Sequence, residues 1–173
     1  MQNDHCNRHN LSMPRWIQIW LKLSTLICSL DVAYTMLRPH TLRGNTLGIF
    51  YELWNIYSDV DLRYATTNDI VTMATGRLMV IEIILNIAAL YLCRHYPRQA
   101  KLTAFLTSAF VFWKTLLYMT MFIAPPQGSA NYLAESAGIW KRVFIFWLPD
   151  LVWCFVPLAA MMHLWSELIS PNT

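Results

Sequence analysis

The sequence predicts an all-α integral membrane protein: a four-transmembrane-helix bundle with an interfacial helix in its first loop. Three observations predict it. Of the 173 residues, 56% are hydrophobic and 13% charged, where soluble domains carry roughly 25% charged residues. Four runs supply the ~20 apolar residues that a bilayer core about 30 Å thick requires of a helix. The 8 Trp and 8 Tyr are rings that favour membrane–water interfaces. The net charge of +3 is small and scattered, so nothing points to a nucleic-acid partner.

The whole chain reads as a single domain, with no internal repeat or low-complexity tract. Its polar start, Met1 to Arg15, runs without a small-residue cleavage site into the first apolar run, about Trp16–Leu37. That run therefore reads as a retained span rather than a signal peptide. It ends at Arg38-Pro39, because the residue before a proline avoids the helical region. Residues 38–69 are too long and too aromatic for a plain linker. Leu47, Phe50, Tyr51 and Trp54 recur there at helical spacing, which predicts an interfacial amphipathic helix. The second run, about Ile70–Cys93, is closed by Arg94, His95 and Pro97. After a basic turn at 94–101 comes the third, about Leu102–Ile123, stopped by Pro125, Pro126 and Gly128. A looser polar loop over 124–142 leads to the fourth, about Val143–Trp165, opened by Lys141 and Arg142. Pro149 and Pro157 each remove a backbone donor from it and predict kinks. Cys6, Cys28, Cys93 and Cys154 lack metal-ligand spacing and read as reduced packing residues.

Four spans put both termini on one side of the bilayer. Arg8, Arg15, Arg94, Arg98 and Lys101 lie on that side, against Arg38, Arg43, Arg63, Lys141 and Arg142 on the other. The tally ties, and the dense basic turn 94–101 tips the reading towards cytosolic termini.

Ionisable groups within spans cost at least about 2.5 kcal/mol each on insertion scales, so each needs a reason. The first span has Asp31, with Ser24, Cys28, Tyr34 and Thr35 nearby. The second has Glu82, with Asn86 one turn on. The third has Lys114, with Thr107, Thr115 and Tyr118 close. The fourth has Asp150, followed by Trp153. If all four point inward, they form a buried site of three carboxylates and one amine. One reading is a salt-bridged lock. The other notes that one lysine cannot neutralise three acids, so a desolvated carboxyl keeps a proton to give. In an aromatic-walled cavity that is equipment for protonating an alkene or epoxide, with a second carboxylate to take a proton back. Trp153 reads either as packing or as an indole face for a cation.

Two segments carry a resemblance. LWNIYSDVDLRY, Leu53 to Tyr64, has Leu53-Trp54, Tyr57, Asp61 and Arg63-Tyr64, with Asp69 following. WLPDLVWCFVP, Trp147 to Pro157, has Asp150, Trp153 and Pro157, and LLYM around Tyr118 is a weaker third. Together they resemble the emopamil-binding protein (EXPERA) family, which includes sterol Δ8–Δ7 isomerases and a receptor branch. The resemblance implies a four-helix bundle of the endoplasmic reticulum membrane around a cavity for sterol-like or cationic amphiphilic molecules. It implies that Asp31 and Glu82 stand near the acids of the first two helices, and that Trp153 faces a carbocation. Ile27 stands where the isomerases carry a histidine, Asp150 where they carry an amide, and Lys114 is additional.

The expected function is a cofactor-independent, metal-free isomerase or cyclase acting on a sterol, terpenoid or similar apolar substrate. Glu82 and Asp31 are the expected acid and base, with Trp153 stabilising the cation. Asp150 and Lys114 orient the site, or Lys114, if neutral, acts as base. Tyr57, Asp61, Arg63, Tyr64, Asn86 and Tyr118 are expected to contact substrate. The expected partners are the apolar small molecule and the lipid bilayer, with a homodimer as an option. The alternative is a non-catalytic binder of sterols or amphiphilic amines, in which Asp31 and Glu82 hold a ligand amine.

Overall fold

The computed structural model describes residues 13–169; Cys6, Arg8 and the rest of the polar start before Met13 lie outside the described residues. Helix α1 (Arg15–Met36) follows Pro14 and stops just short of Arg38-Pro39. In the long first loop a 3₁₀ turn (Gly48–Tyr51) runs into α2 (Glu52–Ser58), and one further turn, α3 (Leu62–Ala65), follows. The amphipathic segment expected here is therefore present. Its outer face is apolar, with Ile49, Phe50 and Leu53 all more than 70% exposed. Its inner face is held by Asn55, which accepts from the Tyr34 hydroxyl and Arg43 N and donates to the carbonyls of Thr41 and Gly48. Gly48 suits that close fold, because a Cβ there would stand 2.5 Å from the Leu42 carbonyl oxygen.

Helix α4 (Ile70–Leu92) is capped by Asp69, whose carboxylate accepts from Thr72 N at 2.8 Å. This side-chain acceptor satisfies one of the free donors at a helix start. Helix α5 (Pro97–Thr120) begins at Pro97 rather than at Leu102, where the apolar run starts. A proline in the first turn forfeits no helical hydrogen bond, so the basic turn is drawn into the helix. Lys101 there meets Glu167 at 2.9 Å. Helix α6 (Ile139–Ile169) likewise outruns its apolar segment at both ends. It contains a π-helical stretch, Arg142–Trp147, immediately before Leu148-Pro149. Pro149 has no N–H to give the Ile145 carbonyl, and the wider register precedes it. Pro157 stands inside the regular part of the helix.

The long helices pack in sequence, α1 on α4, α4 on α5, and α5 on α6. Helices α1 and α6 meet through large side chains, with the rings of Trp20 and Trp153 5.0 Å apart. At the end nearest the termini, Ile17, Trp20, Leu21, Ala89, Ala104, Ala160 and Leu164 close the bundle. Inside are small and polar residues, including Ser24, Thr35, Thr72, Glu82, Asn86, Thr107, Ser108 and Thr115. Outside are Ile19, Leu26, Ile84, Leu106, Leu117, Phe155 and Met162. A water-soluble bundle distributes these types the other way round. Among the described residues, four helices are long and apolar enough to cross a membrane.

Arg38 ties the loop to the bundle. Its guanidinium donates to the carbonyls of Thr35, Arg63, Tyr64 and Thr66 and to the Thr72 hydroxyl. Hydrogen bonds from a charged donor are worth about 1.5–3 kcal/mol each and do not add fully. Arg38→Met is expected to destabilise the protein by roughly 3 kcal/mol, read as a lower unfolding midpoint in detergent.

Candidate functional site

Glu82 stands midway along α4 and is fully buried. Three donors converge on it. Ser24 Oγ lies 2.9 Å and Cys28 Sγ 3.2 Å from Oε1, and Lys114 Nζ lies 2.6 Å from Oε2. Burying a carboxylate requires such compensation, because desolvation costs several kcal/mol unless charge and hydrogen bonds replace the lost water. One helix turn away, Asn86 accepts from the Thr107 hydroxyl at 2.8 Å.

Above this layer, towards the end of the bundle that carries the 37–69 loop, lies a cavity of about 420 Å³. Ile27, Cys28 and Asp31 of α1 form one wall, and Pro149, Asp150 and Trp153 of α6 the facing one. Thr75 and Met79 of α4 and Lys114, Thr115 and Tyr118 of α5 form the back. Leu53, Trp54 and Tyr57 of the loop helix, with Tyr64, cover it. The lining is mostly apolar and aromatic, as in small-molecule sites.

Three carboxyl groups around this space each accept a hydrogen bond from a tyrosine. Asp31 Oδ2 accepts from Tyr64 at 3.1 Å, and its Oδ1 accepts from Trp54 Nε1 at 3.0 Å. Asp150 Oδ2 accepts from Tyr57 at 3.3 Å. Asp61 Oδ2 accepts a short hydrogen bond from Tyr118, and its Oδ1 accepts from Arg63 N as the cap of α3. The tyrosines touch one another, with Tyr57 and Tyr64 rings 4.9 Å apart and edge to face. Burial pushes the Tyr57 and Tyr64 phenols well above their ordinary value, so both remain donors at neutral pH. Burial also raises the Asp61 carboxyl to about 7, against the hydrogen bonds from Tyr118 and Arg63 N that favour its charged form.

The expected site residues thus separate into layers. Asp31, Asp150, Lys114, Trp153, Tyr57, Tyr64 and Tyr118 share the cavity wall. Glu82 and Asn86 stand behind it, with Lys114 between Glu82 and the open space. Asp61 and Arg63 also stand outside the wall. Arg63 pairs with Asp69 at 2.8 Å and lies 3.7 Å over the Tyr132 ring. Sequence reasoning does not find Trp54 as the partner of Asp31, nor Ser24 and Cys28 as donors to Glu82. The available signal for Trp54 is that a half-buried indole N–H needs an acceptor. Among the described residues no group of His, Cys, Asp and Glu is arranged to hold a metal ion.

Two outcomes follow from this geometry. Glu82→Gln leaves the Lys114 ammonium buried without a counter-charge, and is expected to cost about 3–5 kcal/mol. The double variant Glu82→Gln, Lys114→Met removes both charges and should recover most of that loss in detergent unfolding. Asp61, with a folded value of about 7 against an ordinary 3.8, holds its proton more tightly in the fold than in the unfolded chain. Its contribution to stability is full below pH 3.8 and is lost as pH rises to about 7. Asp61→Asn should therefore flatten the decline of melting temperature across that window.

No family, curated protein or solved structure matches this chain.

Proposed function

We propose that the chain is an integral membrane protein of the endoplasmic reticulum. It acts there as a cofactor-independent acid–base isomerase or cyclase on a sterol, terpenoid or similar apolar substrate. The observation that carries this reading is that Asp31 of α1 and Asp150 of α6 open onto one aromatic-walled apolar cavity. The apolar exteriors of the four long helices support the membrane setting. The likeness of Leu53–Tyr64 and Trp147–Pro157 to the emopamil-binding protein family supports the substrate class and the organelle. Those two segments supply much of the cavity wall.

In this reading Asp150 is the acid. Its Oδ2 is held by Tyr57, and its Oδ1 has no hydrogen-bond partner among the described residues. The protonated carboxyl transfers its proton to one carbon of a substrate double bond, and the π pair forms the new C–H bond. The resulting cation is stabilised by the π faces of Trp54, Trp153 and the tyrosines. Asp31, with a donor on each oxygen, then takes a proton from a neighbouring carbon, and that C–H pair closes the new double bond. Capture of the cation by a second double bond before this step gives a cyclic cation, which loses its proton to Asp31 in the same way. In either case proton exchange with water restores the acid form of Asp150 and the carboxylate of Asp31. Glu82 serves as the counter-ion of Lys114 rather than as the reacting acid.

A second reading rests on the same carboxylates. Two acids ringed by Trp54, Tyr57, Tyr64 and Trp153 also suit an amphiphilic ammonium held without turnover. Microsomes containing wild type, Asp150→Asn or Asp31→Asn, supplied with candidate lipids and followed by mass spectrometry, separate the two. The catalytic reading expects each variant to lose about 10²-fold or more in turnover, the usual scale of acid–base assistance. If wild type converts none of the lipids while amphiphilic amines still bind, it is a binder.

A further inference from the structure

Lys114 is the cationic group of the cavity wall, and its donors outnumber their partners. An ammonium carries three donors. One N–H is engaged by Glu82 Oε2 at 2.6 Å, and no other acceptor among the described residues reaches Nζ. The side chain is only 9% exposed, and what it faces is the cavity. Neither Asp31 nor Asp150 bonds to it: Asp31 accepts from Trp54 and Tyr64, and Asp150 Oδ2 accepts from Tyr57. Two donors of a buried cation therefore point into a largely apolar space. Leaving donors of a charged group unpaired there costs more than for a neutral one, and a hydrocarbon ligand would seal them from water without replacing it. A ligand oxygen would satisfy them.

We propose that the ligand of this cavity is an oxygenated apolar molecule, whose ketone, epoxide or hydroxyl oxygen accepts hydrogen bonds from Lys114. This rests on the reading of the cavity as the substrate site, and it names the class of substrate. The pair with Glu82 fixes the ammonium at the inner end of the cavity. The oxygen-bearing end of the molecule therefore lies deepest, and its carbon skeleton extends between Asp31 and Asp150 towards Trp54 and Tyr57. The reacting carbons lie at a distance from the oxygen set by the separation of Lys114 from the two carboxyls. Lys114 is a positioning residue in this arrangement: it orients the skeleton and exchanges no proton.

The test is direct binding of tritiated androstanone and tritiated androstane, which share a rigid skeleton and differ in one carbonyl. The full chain is held in lipid nanodiscs. A charge-assisted hydrogen bond gained only by the ketone predicts a preference of roughly 10- to 100-fold in wild type. That preference should vanish in Lys114→Met, with androstane binding retained. Because a lone Glu82 charge can unfold that variant, the double variant Glu82→Gln, Lys114→Met is measured beside it and decides the result. Equal binding of the two steroids by wild type, no binding of the ketone, or a ketone preference that survives in the double variant overturns the proposal. A Lys114-dependent preference in a protein that converts no lipid retires the acid–base chemistry and leaves this assignment standing. Turnover of a pure hydrocarbon alkene without that preference does the reverse.

Discussion

At mid-depth in the bundle, an ammonium from α5 and a carboxylate from α4 meet at 2.6 Å, with the carboxylate wholly buried. Neither charge is tolerable there without the other, and two donors from α1, Ser24 and Cys28, complete the carboxylate's shell. Three of the four long helices are thus fixed in rotation and depth by one anionic group. The side chains of the neighbouring turns, Asp31 after Cys28 on α1 and Tyr118 after Lys114 on α5, are aimed as a consequence. The cavity exists because this layer is closed beneath it, while α1 and α6 are bridged further down by the Trp20–Trp153 contact rather than by close backbone packing.

The helices were legible in the sequence, and the reason is physical. Apolar runs of bilayer length leave few other solutions, so Trp16–Leu37 and Ile70–Cys93 fall within one residue of α1 and α4 at each end. The errors lie where helix continues through residues that are not apolar, and at the end of the third run, where the helix stops at Thr120 and the apolar Met121, Phe122 and Ile123 form a turn. Hydropathy cannot see that Pro97 to Lys101 extend α5, or that Ile139 to Arg142 open α6, because hydrogen bonding and first-turn chemistry decide those ends. The π-helical stretch had only Pro149 as a signal, and a proline alone does not distinguish a kink from a change of register.

The candidate site was legible as a list of residue types and illegible as an arrangement. Ionisable residues in apolar runs identify Asp31, Glu82, Lys114 and Asp150, since the cost of burying them is independent of the fold. Pairing depends on helix rotation, which sequence spacing fixes only relative to residues of the same helix. The union of Lys114 with Glu82, rather than with either aspartate, therefore comes from tertiary geometry. The same holds for the phenols: Tyr57, Tyr64 and Tyr118 stand out by motif, and their assignment to Asp150, Asp31 and Asp61 does not.

The cover of the cavity is of a different kind from its walls. Trp54 and Tyr57 reach the long helices through single hydrogen bonds, to Asp31 and Asp150, rather than by belonging to one of those helices. They are carried on a short segment moored at Asn55 and Arg38, through hydrogen bonds to the carbonyls and hydroxyls of the loop and of the adjoining ends of α1 and α4. The four long helices thus set the walls of the chamber, and the two polar hubs at the periphery fix the position of its cover. Walls and cover are therefore held by different means, the walls by packing between long helices and the cover by polar bonds of a short loop segment, so a substitution at Asn55 or Arg38 alters the shape of the chamber without touching a residue that lines it.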